Sequence, residues 1–273
     1  MLSVIIPASN EESYIGPCLA ALFASQPVPG GAEAIVVANG CRDATAARAQ
    51  AMAGAAQAAG WVFQVLDLAQ GGKPNALNAG DRVAQGDTRA YLDADVIVSP
   101  AVMAELAHAL ATAAPRYAGA TPRIPRAKSA ITRAYARFWQ RLPFAQSTAP
   151  GFGLFAVNAA GRARWGAFPA LISDDTFVRL QFTPEERVQV ASPYDWPMIE
   201  GFAALTRVRR RQDAGVAEID RLYPGLLSRE GKARLTKARL AALALQDPAG
   251  FVTYATVSLA VRLGKSGGWT RGR

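Results

Sequence analysis

Residues 2–25 read LSVIIPASNEESYIGPCLAALFAS and combine two kinds of pattern. The first part, LSVIIP, is a short apolar run with β-branched residues, which predicts a buried strand. The second part, NEESYIGPCLAALFAS, predicts a helix opened by Asn10 and two acidic residues, because such residues are preferred at helix starts. The stretch therefore begins a strand–helix unit of the kind that builds a parallel sheet.

The same alternation continues to residue 113. Further strands are predicted for EAIVVAN, WVFQVLDL and RAYLDAD. Helices are predicted for residues 43–59, 73–86 and 99–113, the last with Ser99 as N-cap and Pro100 at the first helical position. Strands that alternate with helices form a mostly parallel sheet with helices on both faces. We therefore predict an α/β, Rossmann-like fold.

The remainder of the chain is less regular. KSAITRAYARFWQRLP predicts an amphipathic helix with a basic stripe of arginines, and the tail predicts a basic helix over about residues 228–245. The apolar segment FVTYATVSLAVRLG and a Gly/Arg end follow. We predict a sheet domain over residues 1–204, with halves 1–105 and 106–204, and a basic helical C-terminal extension over residues 205–273.

Composition narrows the class of protein. With 273 residues, 51% hydrophobic and 19% charged, the chain is long and apolar enough for a substantial globular core. Cys18 and Cys41 form no CxxC motif, which argues against a disulfide scaffold or zinc site and suits a reducing cytosol. The N-terminus lacks the pattern of a signal peptide, and no apolar run reaches the ~18 residues of a membrane span. We expect a cytoplasmic protein.

The net charge of +9 is unevenly distributed, since residues 106–173 contain no acidic residue. Such a surface suits an anionic partner, although a generic basic surface is the alternative. No nucleic-acid-binding module is recognised, so nucleic acid is not the favoured partner. Basic helices with Phe138, Trp139 and an apolar tail are typical of peripheral contact with an anionic membrane, here on its inner face. The alternative is that these helices pack against the core and keep solvated basic faces.

Polar loops follow the predicted strands, and Asp93 and Asp95 end the fourth of them. In open α/β sheets ligands bind beyond the carboxyl ends of the strands, so these loops should converge on one site. Asp93 and Asp95 offer the hard oxygen ligands that Mg²⁺ and Mn²⁺ prefer. Taken alone, the pair could equally be a solvated strand end.

The motifs SVIIPASNEE, VVANGCRDAT, GGKPNALNAG, LDAD and SDD, in this order and spacing, resemble an inverting family 2 glycosyltransferase with the GT-A fold. The resemblance covers about residues 1–200. It implies that one sugar moves from a nucleotide-sugar donor, with UDP as the expected nucleotide, to an acceptor hydroxyl, with Mn²⁺ or Mg²⁺ as cofactor. The QxxRW motif of processive synthases is absent, which favours a single transfer. A lipid or lipid-linked saccharide is the acceptor we expect from the basic second half.

The resemblance also implies roles for individual residues. Asp175 would be the general base and Asp174 an acceptor ligand or helix cap, whereas both could merely cap the helix. Asp95 would bind the metal, and Asp93 the ribose or the metal through water. Residues 1–105 would bind the donor and 106–204 the acceptor. The other nucleotide-binding candidates are Pro7, Ala8, Asn10, Glu11, Asn39, Lys73 and Asn78; those for donor sugar or acceptor are Gly151, Phe152, Gly153 and Trp165. For Trp165 the favoured alternative is a place in the buried core.

One position departs from the family pattern. The family usually has an acidic residue where this chain has Ala38 or Asn39, which puts the base contact in doubt, although Asn39 can still hydrogen-bond a uracil edge. Asp43 is expected to cap the next helix and order the loop. The alternatives are a sugar-nucleotide nucleotidyltransferase, whose glycine-rich loop after the first strand is absent, and a degenerate nucleotide-sugar-binding or scaffold protein, suggested only by the Ala38/Asn39 departure.

Overall fold

A computed structural model of the chain describes residues 1–264. Within that range eight strands form one sheet in the order β3-β2-β1-β4-β7-β6-β8-β5. The strands are β1 Leu2–Ala8, β2 Ala32–Asn39, β3 Val62–Leu68, β4 Thr88–Leu92, β5 Ile97–Val98, β6 Tyr117–Arg123, β7 Leu154–Val157 and β8 Arg187–Asp195. The helices are α1 Ile15–Phe23, α2 Thr45–Gln50, α3 Ala53–Ala58, α4 Lys73–Val83, α5 Val102–Ala109, α6 Ala130–Trp139, α7 Ala159–Arg162, α8 Asp174–Arg179, α9 Phe202–Leu222, α10 Lys237–Gln246 and α11 Pro248–Leu263.

The first four strands of the chain pair in parallel, as predicted. β1 lies between β2 and β4, and β3 pairs with β2. β7 runs antiparallel between β4 and β6, and β8 returns parallel to β6. The α/β class with a helical C-terminal stretch is therefore confirmed, and the second half of the sheet is mixed.

Successive residues of the central strands face opposite sides of the sheet, so each strand contributes to two cores. Val4 and Ile6 of β1 belong to one cluster and Ile5 to the other. Both faces are thus covered by helices, which explains why the strands read as continuous apolar runs. Burying each such side chain stabilises the fold by about 1.5–3 kcal/mol.

Several predicted helix boundaries were wrong. α1 begins at Ile15, because Asn10 adopts φ 58° and its Oδ1 accepts the N–H of Arg42 at 2.7 Å instead of capping α1. Residues 43–59 form two short helices, α2 and α3. α5 begins at Val102 with Ala101 as N-cap, so neither Ser99 nor Pro100 opens it.

The C-terminal region also differs from expectation. The basic helix predicted over residues 228–245 is a 3-10 turn, Leu226–Glu230, followed by α10. The predicted boundary after residue 204 falls inside α9, and the division into two domains stays a prediction. The Gly/Arg end, residues 265–273, lies outside the described residues. In the part of the chain that is described, no helix has the length and apolar character required to span a bilayer.

α6, α9 and α11 pack together beside the mixed half of the sheet. Tyr135, Leu205 and Val257, one from each helix, form a small buried cluster. The predicted amphipathic helix is confirmed as α6, whose N-cap Ser129 accepts the N–H of Thr132. This layer builds one side of the cleft described next.

Candidate active site

The carboxyl ends of β1 and β2 are tied to the start of α4 by a single side chain. The buried amide of Asn39 donates to the carbonyl of Ala8 at 2.9 Å and accepts the N–H of Gly72 at 2.9 Å. Asn39 therefore uses both its amide oxygen and its amide nitrogen on the protein backbone. Sequence reasoning expected a contact with the base at this position and missed the structural role.

Hydrogen bonds hold the loop after β1 against the loop after β2. Asp43 accepts hydrogen bonds from the hydroxyl and N–H of Thr45 and from the N–H of Glu12, and the Thr45 hydroxyl accepts the N–H of Glu11. Burial alone would raise the pKa of Asp43, but these hydrogen bonds lower it below its ordinary value. The expectation that Asp43 orders the loop is confirmed, whereas the expectation that it caps the next helix is wrong, because the N-cap of α2 is Ala44.

Lys73 opens α4 and lies among three carboxylates. Its Nζ is 2.9 Å from Oδ1 of Asp93 and 3.3 Å from Oδ2 of Asp174. The lysine and Asp93 side chains are 34% and 36% exposed, whereas Asp174 is buried. Burial alone would lower the pKa of Lys73, but the charges of Asp174, Asp93 and Asp175 outweigh it and raise that pKa. The lysine is a permanent cation.

Asp174 and Asp175 occupy the first turn of α8, as predicted. Burial raises the pKa of Asp174, and Lys73 opposes that shift. Burial, and then the charge of Asp174, raise the pKa of Asp175 to about 6, although its Oδ1 accepts the N–H of Thr176 at 2.7 Å. We expected the helix N-terminus and nearby basic residues to keep Asp175 ionised. Burial beside a second carboxylate outweighs them and raises the pKa, which still leaves Asp175 ionised at neutral pH.

These groups border an open cleft of about 1010 Å³. We divide its lining residues by chemistry into a polar wall and an aromatic wall, which meet where Gly153 contacts Asp93. The polar wall comprises Pro7, Ser9, Asn10, Glu11, Tyr14, Asn39, Gly71, Gly72, Lys73, Asp93, Ala94 and Asp95. The aromatic wall comprises Tyr135, Trp139, Phe152, Gly153, Trp196, Pro197, Met198, Ile199, Leu205, Val208, Arg209, Arg211 and Gln212. Residues 172–175, which include Asp174 and Asp175, border the same cleft.

Three of the predicted site residues, Asn78, Trp165 and Ala8, lie away from this cleft. Asn78 is paired with the backbone of Phe168, accepting its N–H at 2.7 Å and donating to its carbonyl at 3.0 Å. Trp165 is buried in the core, with the Arg162 guanidinium 4.7 Å from its ring centre. Both side chains therefore hold the structure together, and neither lines the cleft. Ala8 is likewise buried and contributes its carbonyl to Asn39.

The glycine-flanked entry to β7 brings backbone close to the carboxylates. Gly153 accepts the N–H of Asp93 at 2.8 Å and has φ 67°. A side chain at Gly153 would come within 2.7 Å of Val96, so only glycine fits there. Gly151 borders a water-sized cavity of about 10 Å³ beneath Lys73, and Phe152 lies in the aromatic wall.

Sequence reasoning missed most of the aromatic wall. Phe138 and Trp139 were expected at a membrane surface, but Phe138 is buried against Phe251 and Tyr254, and Trp139 borders the cleft. Trp196 had no recognisable signal, since it follows β8 in a stretch without a motif. The pairing of β8 with β6 and with β5 carries Trp196 to the cleft.

The described residues contain no group of three or more His, Cys, Asp or Glu side chains that could hold a metal ion. Asp93 and Asp95 nevertheless both border the cleft. Mg²⁺ is commonly bound by one or two carboxylates together with substrate phosphates. The donor set therefore fits a cation that binds together with a diphosphate, and not a closed protein cage.

The cleft combines a DxD pair that follows β4 of a parallel half-sheet, a lysine at the start of α4 and a second acidic pair at the start of α8. This combination fits a glycosyltransferase of the GT-A fold. The family model of Glycosyl transferase family 2 matches residues 3–164, more than half of the chain. The chain belongs to this family, and the resemblance seen in the sequence is confirmed.

Solved structures with the same fold span nearly the whole chain. A mannosyltransferase from Pyrobaculum calidifontis, in complex with GDP-Man and Mn²⁺, is 21% identical with a TM-score of 0.59, covering 97% of this chain and 76% of that one. TarS 1-349 from S. aureus, in complex with UDP, is 15% identical with a TM-score of 0.57, covering 97% and 92%.

Glucosyl-3-phosphoglycerate synthase from Mycobacterium tuberculosis, in complex with Mn²⁺, UDP and glucosyl-3-phosphoglycerate, is 22% identical with a TM-score of 0.52, covering 86% and 81%. At these identities the likenesses show the fold. No curated protein sequence matches the chain significantly.

Proposed function

We propose that the protein is an inverting, metal-dependent glycosyltransferase that moves one sugar from a nucleotide-sugar donor to an acceptor hydroxyl. The observation that carries the proposal is the grouping of Lys73, Asp93, Asp174 and Asp175 at the edge of one cleft. A UDP-sugar is the donor we expect. GDP-sugars belong in the same test, because the solved relatives include complexes with UDP and with GDP-Man.

The polar wall would hold the donor. Residues 9–11 would surround the nucleoside, with Asn39 holding the neighbouring loops in place, and the ammonium of Lys73 would lie against the diphosphate. Asp93 and Asp95 would hold a divalent cation, which supplies positive charge to the departing diphosphate. Lys73 adds a fixed positive charge at the same place, and such preorganised charge lowers the barrier where negative charge develops.

Asp175 would act as the general base. Its carboxylate takes the proton of the acceptor hydroxyl, whose oxygen then bonds to the anomeric carbon on the face opposite the diphosphate. The bond from that carbon to the phosphate oxygen breaks, and the nucleoside diphosphate leaves with the electron pair. A base with a pKa of about 6 is ionised at neutral pH and still basic enough to take the proton. Asp174, buried on Lys73, would position both groups.

We further propose peripheral contact with the inner face of an anionic membrane and a lipid or lipid-linked acceptor. Val252, Leu259 and Leu263 lie on the side of α11 opposite Val257, which packs on α6 and α9. Leu245 of α10 is 83% exposed and Leu263 77% exposed. We call these four residues the apolar stripe. Residues 205–273 are strongly basic, which complements anionic lipid.

The two alternatives are less well supported. A nucleotidyltransferase would place a glycine-rich loop after β1, and this chain has PASNEE there. A degenerate binding protein has no reason to keep Lys73, Asp93 and Asp174 in contact beside a second carboxylate of raised pKa.

A thermal-shift screen of UDP- and GDP-sugars, each with and without Mn²⁺, tests the proposal. We expect one nucleotide sugar to raise the melting temperature only, or mainly, with Mn²⁺ present. Slow metal-dependent release of the nucleoside diphosphate from that sugar, with water as acceptor, should accompany binding. Release of pyrophosphate from a nucleoside triphosphate and a sugar phosphate would instead identify a nucleotidyltransferase.

A further inference from the structure

The aromatic wall differs chemically from the polar wall of the same cleft. Trp139, Phe152 and Trp196 form a compact ring cluster, in which Phe152 and Trp196 stack with centroids 5.0 Å apart at 22°. Trp139 lies 5.1 Å from Phe152 and 5.9 Å from Trp196. Both tryptophans are only half-buried and border the cleft. A rigid aromatic surface of this kind binds the apolar face of a ligand.

The α9 side of this wall adds apolar and cationic groups. Leu205, Val208, Arg209 and Gln212 follow helical spacing along one face and border the cleft. Arg209 donates to the Tyr135 hydroxyl at 2.9 Å. The next residue, Arg210, donates to backbone carbonyls of α11 and is held outside the cleft.

Arg211 differs from Arg209 and Arg210, whose guanidinium groups are both hydrogen-bonded. Arg211 is half-buried and borders the cleft, yet its guanidinium makes no hydrogen bond or ion pair with any of residues 1–264. Partial burial of an unpaired guanidinium is unfavourable, and its planar donors match phosphate oxygens in a bidentate fashion. Arg211 is therefore prepared for an anionic group that comes from a ligand.

The polar wall is a poor place for a second anion. Its cation, Lys73, is already held by Asp93 and Asp174, and Asp95 and Asp175 add further negative charge to the cleft. An acceptor with a negative group is repelled from that side and attracted toward α9. The two sets of lining residues therefore differ in the charge of the ligand group that they attract.

We propose that the aromatic wall and Arg211 form the acceptor subsite, and that the acceptor is a phosphate-bearing hydroxy compound with an apolar or ring face. This inference rests on the proposed function, because the donor must occupy the polar wall. The acceptor stacks on Trp139 and Trp196, its phosphate binds Arg211, and its hydroxyl reaches Asp175.

Calorimetry on the full chain tests this directly. Dodecyl phosphate and glycerol 3-phosphate are titrated beside their neutral counterparts, dodecyl maltoside and glycerol, with and without a saturating nucleoside diphosphate. Each phosphate should bind on the order of tenfold more tightly than its counterpart, since hydrogen bonds to a charged group have that strength. Tighter binding of dodecyl phosphate would identify a lipid source, and tighter binding of glycerol 3-phosphate a soluble one.

Arg211→Gln should weaken the binding of both phosphates on the order of tenfold, while Arg207→Gln should change it less than about twofold. Arg207 is the matched control, because it is an exposed arginine of α9 that does not border the cleft.

Equal affinity for phosphates and neutral compounds overturns the proposal. So does a loss of nucleotide affinity in Arg211→Gln with phosphate binding unchanged, which would assign Arg211 to the donor. If no nucleotide binds, the proposed function fails but the acceptor subsite is still tested, because the phosphates are also titrated without nucleotide.

Discussion

Asp174 and Asp175 are adjacent in the chain but differ in environment. Both carboxylates border the cleft, but Asp174 is buried against Lys73, whereas within residues 1–264 the Asp175 carboxylate accepts only the backbone N–H of Thr176. The first arrangement fixes a charge in place, and the second leaves an oxygen for a substrate proton. This difference supports the proposal that Asp175 is the general base.

Asp175→Asn should lower the rate of transfer on the order of 10²–10⁴-fold, because an amide cannot take the proton. Nucleotide affinity, measured by calorimetry, should stay within about twofold, since Asp175 lies outside the polar wall. In the wild type, kcat/KM should rise with pH through about 6 and then level off, as Asp175 ionises. Wild-type turnover in the variant would remove the base assignment.

Ionisation of the Asp175 carboxylate should lower the free energy of unfolding. The pKa of Asp175 is raised from 3.8 to about 6 in the folded protein, so the folded state holds its proton more tightly than the unfolded state. The free energy of unfolding therefore falls as pH rises through that window. Asp175→Asn should be more stable than wild type by about 1–3 kcal/mol at pH 7.5 and gain little at pH 4. Thermal unfolding at both pH values checks this, and a larger gain at pH 4 would contradict it.

Asp95→Ala should abolish the increase in nucleotide affinity that Mn²⁺ produces, because one of two oxygen ligands is lost. Calorimetric titration of UDP and GDP, with and without Mn²⁺, measures the effect. Asp87→Ala is the matched control, since Asp87 is an exposed aspartate just before β4, and the DxD pair lies beyond the other end of that strand. Equal nucleotide affinity of the wild type with and without Mn²⁺ would show that the metal has no role in binding.

At the scale of elements, the donor loops depend on Asn39. Asn39→Ala leaves the carbonyl of Ala8 and the N–H of Gly72 without their partner, and each unsatisfied buried group costs about 1–3 kcal/mol. We expect a lower melting temperature and a raised KM for the donor with a smaller change in kcat. Asn75→Ala, which removes one exposed hydrogen bond to Gln70, is the control. Equal effects of the two variants would mean that Asn39 does not organise these loops.

The elements also show what the sequence could and could not predict. Lys73, Asp93 and Asp174 were predictable, because each stands beside a strand end or helix start in a short motif and parallel strands bring such ends together. The aromatic wall was not, because its residues come from α6, from the segment after β8 and from α9, and only tertiary packing joins them. Trp165 lies in the core. The sequence could not decide between the core and the cleft for this residue, because a tryptophan carries no local signal of the side that it faces.

At the scale of the whole molecule, part of the basic charge is used internally. Arg137 makes two hydrogen bonds of 2.7 Å to Asp247, and Arg141 bonds Gln246, so both tie α6 to the region between α10 and α11. The predicted basic stripe on α6 is therefore partly structural. The apolar stripe on α10 and α11 is the clearer surface feature, since no described residue covers it.

The wild type should sediment with vesicles of phosphatidylglycerol at low salt and dissociate as salt rises, because the basic tail and the apolar stripe act together. Val252→Ser with Leu259→Ser should weaken this binding strongly, since each exposed aliphatic side chain loses about 1.5–3 kcal/mol of burial in the bilayer. Val62→Ser is the matched control, because Val62 and Leu259 are both 55% exposed and Val62 lies on β3, outside the apolar stripe. Full recovery of the wild type in the supernatant at low salt would exclude the membrane. If ultracentrifugation then showed a dimer that the double substitution dissociates, the apolar stripe would belong to an interface between two copies of the chain.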